Sequence, residues 1–204
     1  MAQQNTEQKI LEAAEKEFLT RGFNAARTTA IAKEAGVTHA MLHYYFRSKE
    51  NLFEKIISNK MSSLGELMLS SIAESDLPLF DKISAAVVNH LDFISANPLL
   101  PQFFIIEIYS SRERMKLMAE ALQASARQTL ARLQRDIDEA ARRGECRPVN
   151  AGMLMLDIVS LNVFSFLVQP VVEKVLPDLF NDRERFIEMR KQENVETSMR
   201  KLRI

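Results

Sequence analysis

Cysteine is almost missing from this chain: Cys146 stands alone among 204 residues, so no internal disulfide can staple the fold. Glycine and proline are scarce, at five and six, tryptophan is absent, and no run alternates apolar and polar residues with a period of two. A sheet therefore has neither its turn residues nor its strands, and an all-α fold is expected. Net charge is lacking as well, because 27 basic residues balance 27 acidic ones, which excludes a uniformly basic coat. No uninterrupted apolar stretch reaches the roughly 20 residues of a membrane span, since the best candidate, Ala151 to Val172, holds Asp157, Asn162, Gln169 and Pro170. The polar start Met-Ala-Gln-Gln-Asn-Thr-Glu is unlike a signal peptide, so no membrane partner and a cytoplasmic location are expected. Enzyme chemistry lacks its parts too. There is no Gly-rich phosphate loop and no nucleophile beside a base, and neither catalysis nor a cofactor is expected.

What is present is helical periodicity and 47% apolar content, ample for a core. Asn5 or Thr6 opens a first helix with the face Ile10, Leu11, Ala14, Phe18. A fourth helix starts after the capping residue Ser48, runs through Leu52, Ile56, Met61 and Leu64 toward Ala73, and is long enough to serve as a lever. The stretch Ser75-Asp-Leu-Pro78 is the first clear break. A fifth helix then carries Phe80, Ile83, Val87, His90, Leu91 and Ile94, and a sixth spans Leu99 to Ser110. A seventh, Ser111 to Arg143, steps its apolar residues by three or four from Met115 to Ala141. Its charges Arg127, Arg132, Arg135, Asp136, Asp138 and Glu139 read as a solvated face. The eighth, Ala151 to Leu167 or Val168, is apolar around its whole circumference, and the ninth is capped by Asn181. The expected architecture is a three-helix head over residues 1–50 and a helical bundle over 51–204, about nine helices in all.

Two short helical patterns meet in the head across Gly36. Ile31, Ala32 and Ala35 form a small apolar face that lets a second helix cross closely, and Gly36 supplies the positive φ of a tight stop. Thr38 is suited to cap the next helix, which buries Met41 or Leu42 together with Phe46 and turns His39, His43, Tyr44 and Tyr45 outward or to its flanks. Hydrogen-bonding and flat aromatic groups on an exposed helix suit base edges, thymine methyls and phosphates in a major groove. Lys49 falls in the first turn of the following helix, where free N–H groups already favour an anion. Between Arg21 and Lys60 seven basic residues face three acidic ones, an excess of four in a chain whose total is zero. Positive charge gathered around one helix pair is the footprint of a nucleic-acid binder. The pair His39 and His43 has the spacing of two zinc ligands, but Ala40 stands where a zincin has Glu and no third ligand is near, so no metal is expected. Cys146 lies among Arg142, Arg143 and Arg147, which can lower a thiol pKa.

Ile10, Leu11, Ala13, Ala14, Phe18, Gly22 and Phe23 form one motif. It is followed by Thr28-Thr29, Ile31-Ala32 and Ala35-Gly36-Val37, then Leu42, Tyr44, Phe46, Ser48-Lys49-Glu50 and Leu52. In this order the run resembles the DNA-binding domain of the TetR/AcrR family of bacterial repressors. The sequence departs from the family at His43, usually Tyr, at Tyr45, often His, and at Ala40, often Gly or Pro. The resemblance implies double-stranded DNA as partner, with Thr28, Thr29, Thr38, His39, Ala40, His43, Tyr44, Tyr45 and Lys49 at the interface. It also implies a small-molecule effector in the C-terminal part.

An all-round apolar eighth helix has one side left to cover, so a homodimer through helices eight and nine is expected, and two-fold symmetry then makes the operator palindromic. For the effector, His90, Phe93, Phe103, Phe104, Glu107, Met115, Met118, Met153 and Phe164 are candidate cavity residues, although each Met and Phe among them reads more readily as ordinary core. His90 on its apolar stripe and Glu107 on an apolar helix are either ligand anchors or satisfied buried groups. The expected function is a ligand-released repressor. Its rivals are a helical small-molecule binder whose head has lost DNA function and a constitutive DNA binder with no effector.

Overall fold

The structure, a computed structural model, describes residues 2–74 and 76–204. Ten helices occur among the described residues: α1 (Ala2–Ala25), α2 (Thr28–Glu34), α3 (His39–Phe46), α4 (Lys49–Ile72), α5 (Leu79–Ala96), α6 (Leu100–Ser110), α7 (Arg112–Arg142), α8 (Ala151–Val175), α9 (Pro177–Phe180) and α10 (Arg183–Arg200). No strand is found among them, and the expected all-α class stands.

Capping chemistry places most boundaries. Thr38 accepts the Met41 N–H at 3.2 Å to open α3, and Ser48 accepts that of Asn51 at 3.1 Å just before α4. Gly36 has φ +68° and ends the α2 turn, as its sequence position demands. Elsewhere the expectations need correcting. The first helix begins at Ala2, ahead of Asn5, and the break expected from Ser75 lies partly outside the described residues. The eighth helix does not stop before Pro170 but carries it inside and runs on to Val175, so a turn of four residues, α9, precedes the last helix. Its cap is Asp182, which accepts the Arg185 N–H at 3.0 Å, rather than Asn181. By length and composition α8 alone among the described helices suffices to cross a bilayer, but Asn162 at its middle is wholly buried against protein.

The chain divides into two compact units. The first runs to Ser62 and takes in Gln102–Leu122 as well; the second comprises Ser63–Pro101 and Gln123–Ile204. The expected boundary at residue 50 falls within α4, inside the first unit. In the first, Ile10, Phe18, Ile31, Leu42, Leu52 and Phe53 are buried, and the rings of Phe18, Phe23, Phe53 and Phe103 form a chain with centroids 5.0 to 6.0 Å apart. Each such side chain removed from water contributes about 1.5–3 kcal/mol. In the second, Ile72, Ile83, Val87, Leu133, Ile137, Leu154, Ile158, Met199 and Leu202 make the core.

The stripe of α7 is rotated from its expected position. Ala126 is exposed, and Thr129 is buried between Met118 and Leu133 along the helix. The solvated-face reading fails for two of its charges. Asp136 accepts from Lys82, which is almost fully buried on α5, at 2.8 Å, and from Arg132 Nε at 2.9 Å.

Candidate nucleic-acid interface

α3 packs on α2 through Leu42 and Phe46, both buried, while Met41 stays partly exposed and settles which apolar residue faces inward. This leaves His39, Ala40, His43 and Tyr44 exposed, with Tyr44 the most open at 65%. Tyr45 is half-buried and meets Tyr44 edge-on at 5.6 Å. Thr38 and Thr29 are exposed and Thr28 is half-buried, its hydroxyl 3.0 Å from His39 Nε2. The start of α2 and the start of α3 are thus joined through two side chains expected at the interface. Thr28, Thr29, His39, His43 and Lys49 line one hollow of 490 Å³.

Arg27 and Arg47, which the motif reading passed over, line the same hollow. Both belong to the local basic excess, and that excess is the signal that could have found them. Arg47 has φ +63°, the only positive φ outside glycine among the described residues, and it turns the chain from α3 into α4 within two residues. Left-handed backbone at a non-glycine costs about 1–3 kcal/mol and gathers at functional sites. Lys49 holds its Nζ 4.7 Å from the centre of the Phe23 ring and donates to the Asn24 carbonyl at 3.4 Å. Two further cations beside an exposed helix make a surface able to take phosphates.

The residues expected to line a ligand cavity are spread across the molecule. Phe103, Phe104, Glu107, Met115 and Met118 belong to the first unit; His90, Phe93, Met153 and Phe164 belong to the second. Phe103 and Met118 are buried, whereas Met115, Met153 and Phe164 are exposed, so these three do not face a core. Helical spacing alone cannot say which side of an all-apolar helix turns inward. Phe93 packs on Leu91, Ile94 and Phe166. His90 is 2% exposed and accepts at Nδ1 from the Asn162 amide at 3.0 Å; burial pulls its imidazole down to about 4. Glu107 is buried and fully engaged by Phe23 and Arg114. Cys146 is not activated by its arginines. Burial first, and then Glu145, push its thiol up, while Arg143 is held in a two-pronged pair with Glu145 at 2.7 and 2.9 Å.

Comparison with known proteins agrees with this geometry. Residues 10–56 match the sequence profile of the bacterial regulatory proteins of the tetR family. The HTH-type transcriptional regulator YhgD of Bacillus subtilis is 26% identical over 81% of this chain and 86% of its own length. The HTH-type transcriptional repressor BepR of Brucella suis is 39% identical over 32% of each chain. Among solved structures, the Bacillus subtilis transcriptional regulator FadR in complex with stearoyl-CoA has the same fold, with a TM-score of 0.68 at 20% identity over 94% of this chain and 96% of its own. An all-α fold with an exposed recognition helix, joined to these matches, defines a helix-turn-helix DNA-binding protein. Residues 10–56 carry the helix-turn-helix segment of the tetR family of bacterial regulatory proteins, and the rest of the chain shares the fold of such regulators.

Proposed function

We propose that this regulator is a ligand-responsive repressor that binds a palindromic operator as a homodimer and is released by a small-molecule effector. The reading rests on one observation above all: α3 leaves His39, His43 and Tyr44 exposed, with His39 and His43 beside Thr28 and Lys49 in a shared hollow. Tyr44 and Lys49 hold phosphates and set the register, and His39 and His43 read base edges. Thr28 and Thr29 at the start of α2, with Thr38, Ala40 and Tyr45 on α3, complete the contact.

Dimerisation is supported by α8 and α10. Leu156, Phe164, Val171 and Val175 are exposed along α8, and Phe164, Leu167, Val168 and Phe186 line a groove of 640 Å³. A second copy covering this face brings two heads to one duplex, about 34–36 Å apart when they enter successive major grooves. Repression is supported by the head's likeness to BepR, a repressor. A ligand is supported by the fold shared with FadR, whose structure holds stearoyl-CoA. The effector acts by binding more tightly to the protein when it is off DNA, since equal affinity for both states would shift nothing.

Selection of bound fragments from random DNA tests the reading. Enrichment of two inverted half-sites separated by about one helical turn is expected. Recovery of unenriched sequence, or of a single half-site, would overturn it. In the selected duplex, Tyr44→Ala weakens binding to every sequence, whereas substitutions at His39 or His43 change which bases are preferred.

A further inference from the structure

Polarity along α6 is inverted. Ile105 and Ile106 are 44% and 47% exposed, while Glu107, the only charged residue of the helix, is 1% exposed. A carboxylate is costly to remove from water unless both oxygens are engaged. Here they are, by two different elements. Oε1 accepts the Phe23 backbone N–H at 2.8 Å and Oε2 accepts from Arg114 Nε at 2.5 Å, a charged pair. The absence of a side chain at residue 22 leaves this approach uncrowded. Gly22 sits at φ +71°, and a Cβ there would lie 3.3 Å from Glu107 Oε1.

Phe23 is therefore gripped by its backbone, and its ring is shared. The Arg114 guanidinium lies 4.6 Å and the Lys49 ammonium 4.7 Å from the ring centre. The other contact of Lys49 Nζ is the carbonyl of Asn24, the next residue. The Lys49 ammonium thus rests on the ring of Phe23, whose backbone Glu107 grips, and on the carbonyl of the residue that follows it. Among the described residues no carboxylate pairs with Lys49, so its charge stays available to an external anion.

We propose that Glu107 is a positioning residue for DNA binding: by fixing Phe23 it sets where Lys49 meets the phosphate backbone. This rests on the reading of Lys49 as a phosphate contact. The sign of the expected effect separates it from plain electrostatics. Removing a carboxylate makes the protein more positive, which by charge alone tightens binding to a polyanion. Loss of positioning weakens it and, because one phosphate contact is lost, also flattens the salt dependence.

The test is titration of a fluorescein-labelled, mixed-sequence duplex of roughly three helical turns with the full chain over a series of salt concentrations. Lys49→Ala is expected to lower the magnitude of the slope of log K against log salt by about 0.9 for each protomer bound and to weaken binding roughly five- to tenfold per protomer near 0.1 M salt. Glu107→Ala is expected to reproduce both effects without removing any positive charge, and the double variant to match Lys49→Ala alone. Glu107→Gln keeps an acceptor for Phe23 and is expected to retain the parent slope. A slope loss in Glu107→Ala with protected Phe23 amide exchange would overturn the proposal, since the grip would be intact. If Glu107→Ala fails to fold, Phe23→Leu replaces it: the backbone N–H remains, the ring is gone, and the slope should fall. Should Lys49→Ala lower the slope while Glu107→Ala or Phe23→Leu keeps that of the parent, the positioning role is wrong and the phosphate assignment survives. Should Lys49→Ala itself keep the parent slope, the phosphate assignment falls and the proposal falls with it.

Discussion

Asn162 on α8 donates its side-chain amide to His90 Nδ1 on α5 at 3.0 Å, and the direction of that bond is fixed two residues away. Arg190 Nη2 donates to Asn194 Oδ1 at 2.6 Å, Asn194 Nδ2 donates to Asn162 Oδ1 at 2.7 Å, and Asn162 Nδ2 donates onward to His90 and to the Val87 carbonyl. A guanidinium has no acceptor, so the chain cannot be reversed, and His90 Nδ1 must remain unprotonated for it to close.

A pH dependence follows. His90 titrates near 6.5 when unfolded and at about 4 when folded. Above about pH 6.5 both states are neutral and the contribution is fully present. As pH falls from there toward 4 the unfolded chain takes up a proton that the native state refuses, and stability drops by on the order of 3 kcal/mol. His90→Gln keeps an acceptor for Asn162 and removes the titration. Urea denaturation at pH 7.5 and pH 5 should show a markedly smaller loss in the variant; equal losses would mean that His90 is not the group responsible.

The ion pair of Lys82 with Asp136 makes a second, asymmetric case. Lys82 is almost wholly enclosed, whereas Asp136 also has Arg132. Asp136→Ala strands a buried ammonium and should cost about 3–5 kcal/mol, while Lys82→Met keeps the packed stem, leaves Asp136 with its other partner and should cost clearly less. Chemical denaturation midpoints decide the order, and a Lys82→Met loss as large as that of Asp136→Ala would contradict it.

These examples show where a sequence is legible. Gly36, Thr38 and Ser48 act within their own turn, so their roles, and with them the outline of the head, can be read from adjacent residues. Asp136 could not be read, because the lysine that claims it lies 54 residues away on another helix. Periodicity also misled at α8, where apolar residues occur on all sides. Nothing local distinguishes buried Leu154 from exposed Met153, or buried Phe166 from exposed Phe164. Arg27 and Arg47 are legible as charge, but only the fold shows that they line one hollow.

Gly65 tests helix packing within the second unit. A Cβ there would lie 2.3 Å from Ser125 Oγ and 2.9 Å from Ser125 Cβ, so α4 and α7 touch at this point with no room for a methyl. Two effects oppose each other in Gly65→Ala. Helix propensity favours alanine by about 1 kcal/mol, and overpacking costs about 1–3 kcal/mol. Backbone atoms or a helix must shift to relieve the contact, so net destabilisation is expected, and Ser125→Gly added to Gly65→Ala should restore part of it. A thermal midpoint for Gly65→Ala above that of the parent would show that the helices separate at little cost.

Phe164 carries the decisive test of assembly. It is 63% exposed and stands over the groove that Leu167, Val168 and Phe186 also line. The groove wall is braced by Arg190, itself a lining residue, which donates to the Leu161 carbonyl at 3.1 Å and to Asn194. An aspartate at 164 would therefore meet no rearranged surface in the monomer and would be buried only on association. Phe164→Asp should leave the thermal midpoint of the isolated chain nearly unchanged while shifting sedimentation to the monomer. Ile106 on α6, of comparable exposure and outside the groove, supplies the control: Ile106→Asp should stay dimeric. Loss of the second head removes the effective concentration that linkage provides, so binding to a palindromic duplex should weaken by about 10²-fold or more in Phe164→Asp, while binding to a single half-site is unaltered. A dimeric Phe164→Asp, or dissociation by Ile106→Asp instead, would move the interface away from α8 and α10.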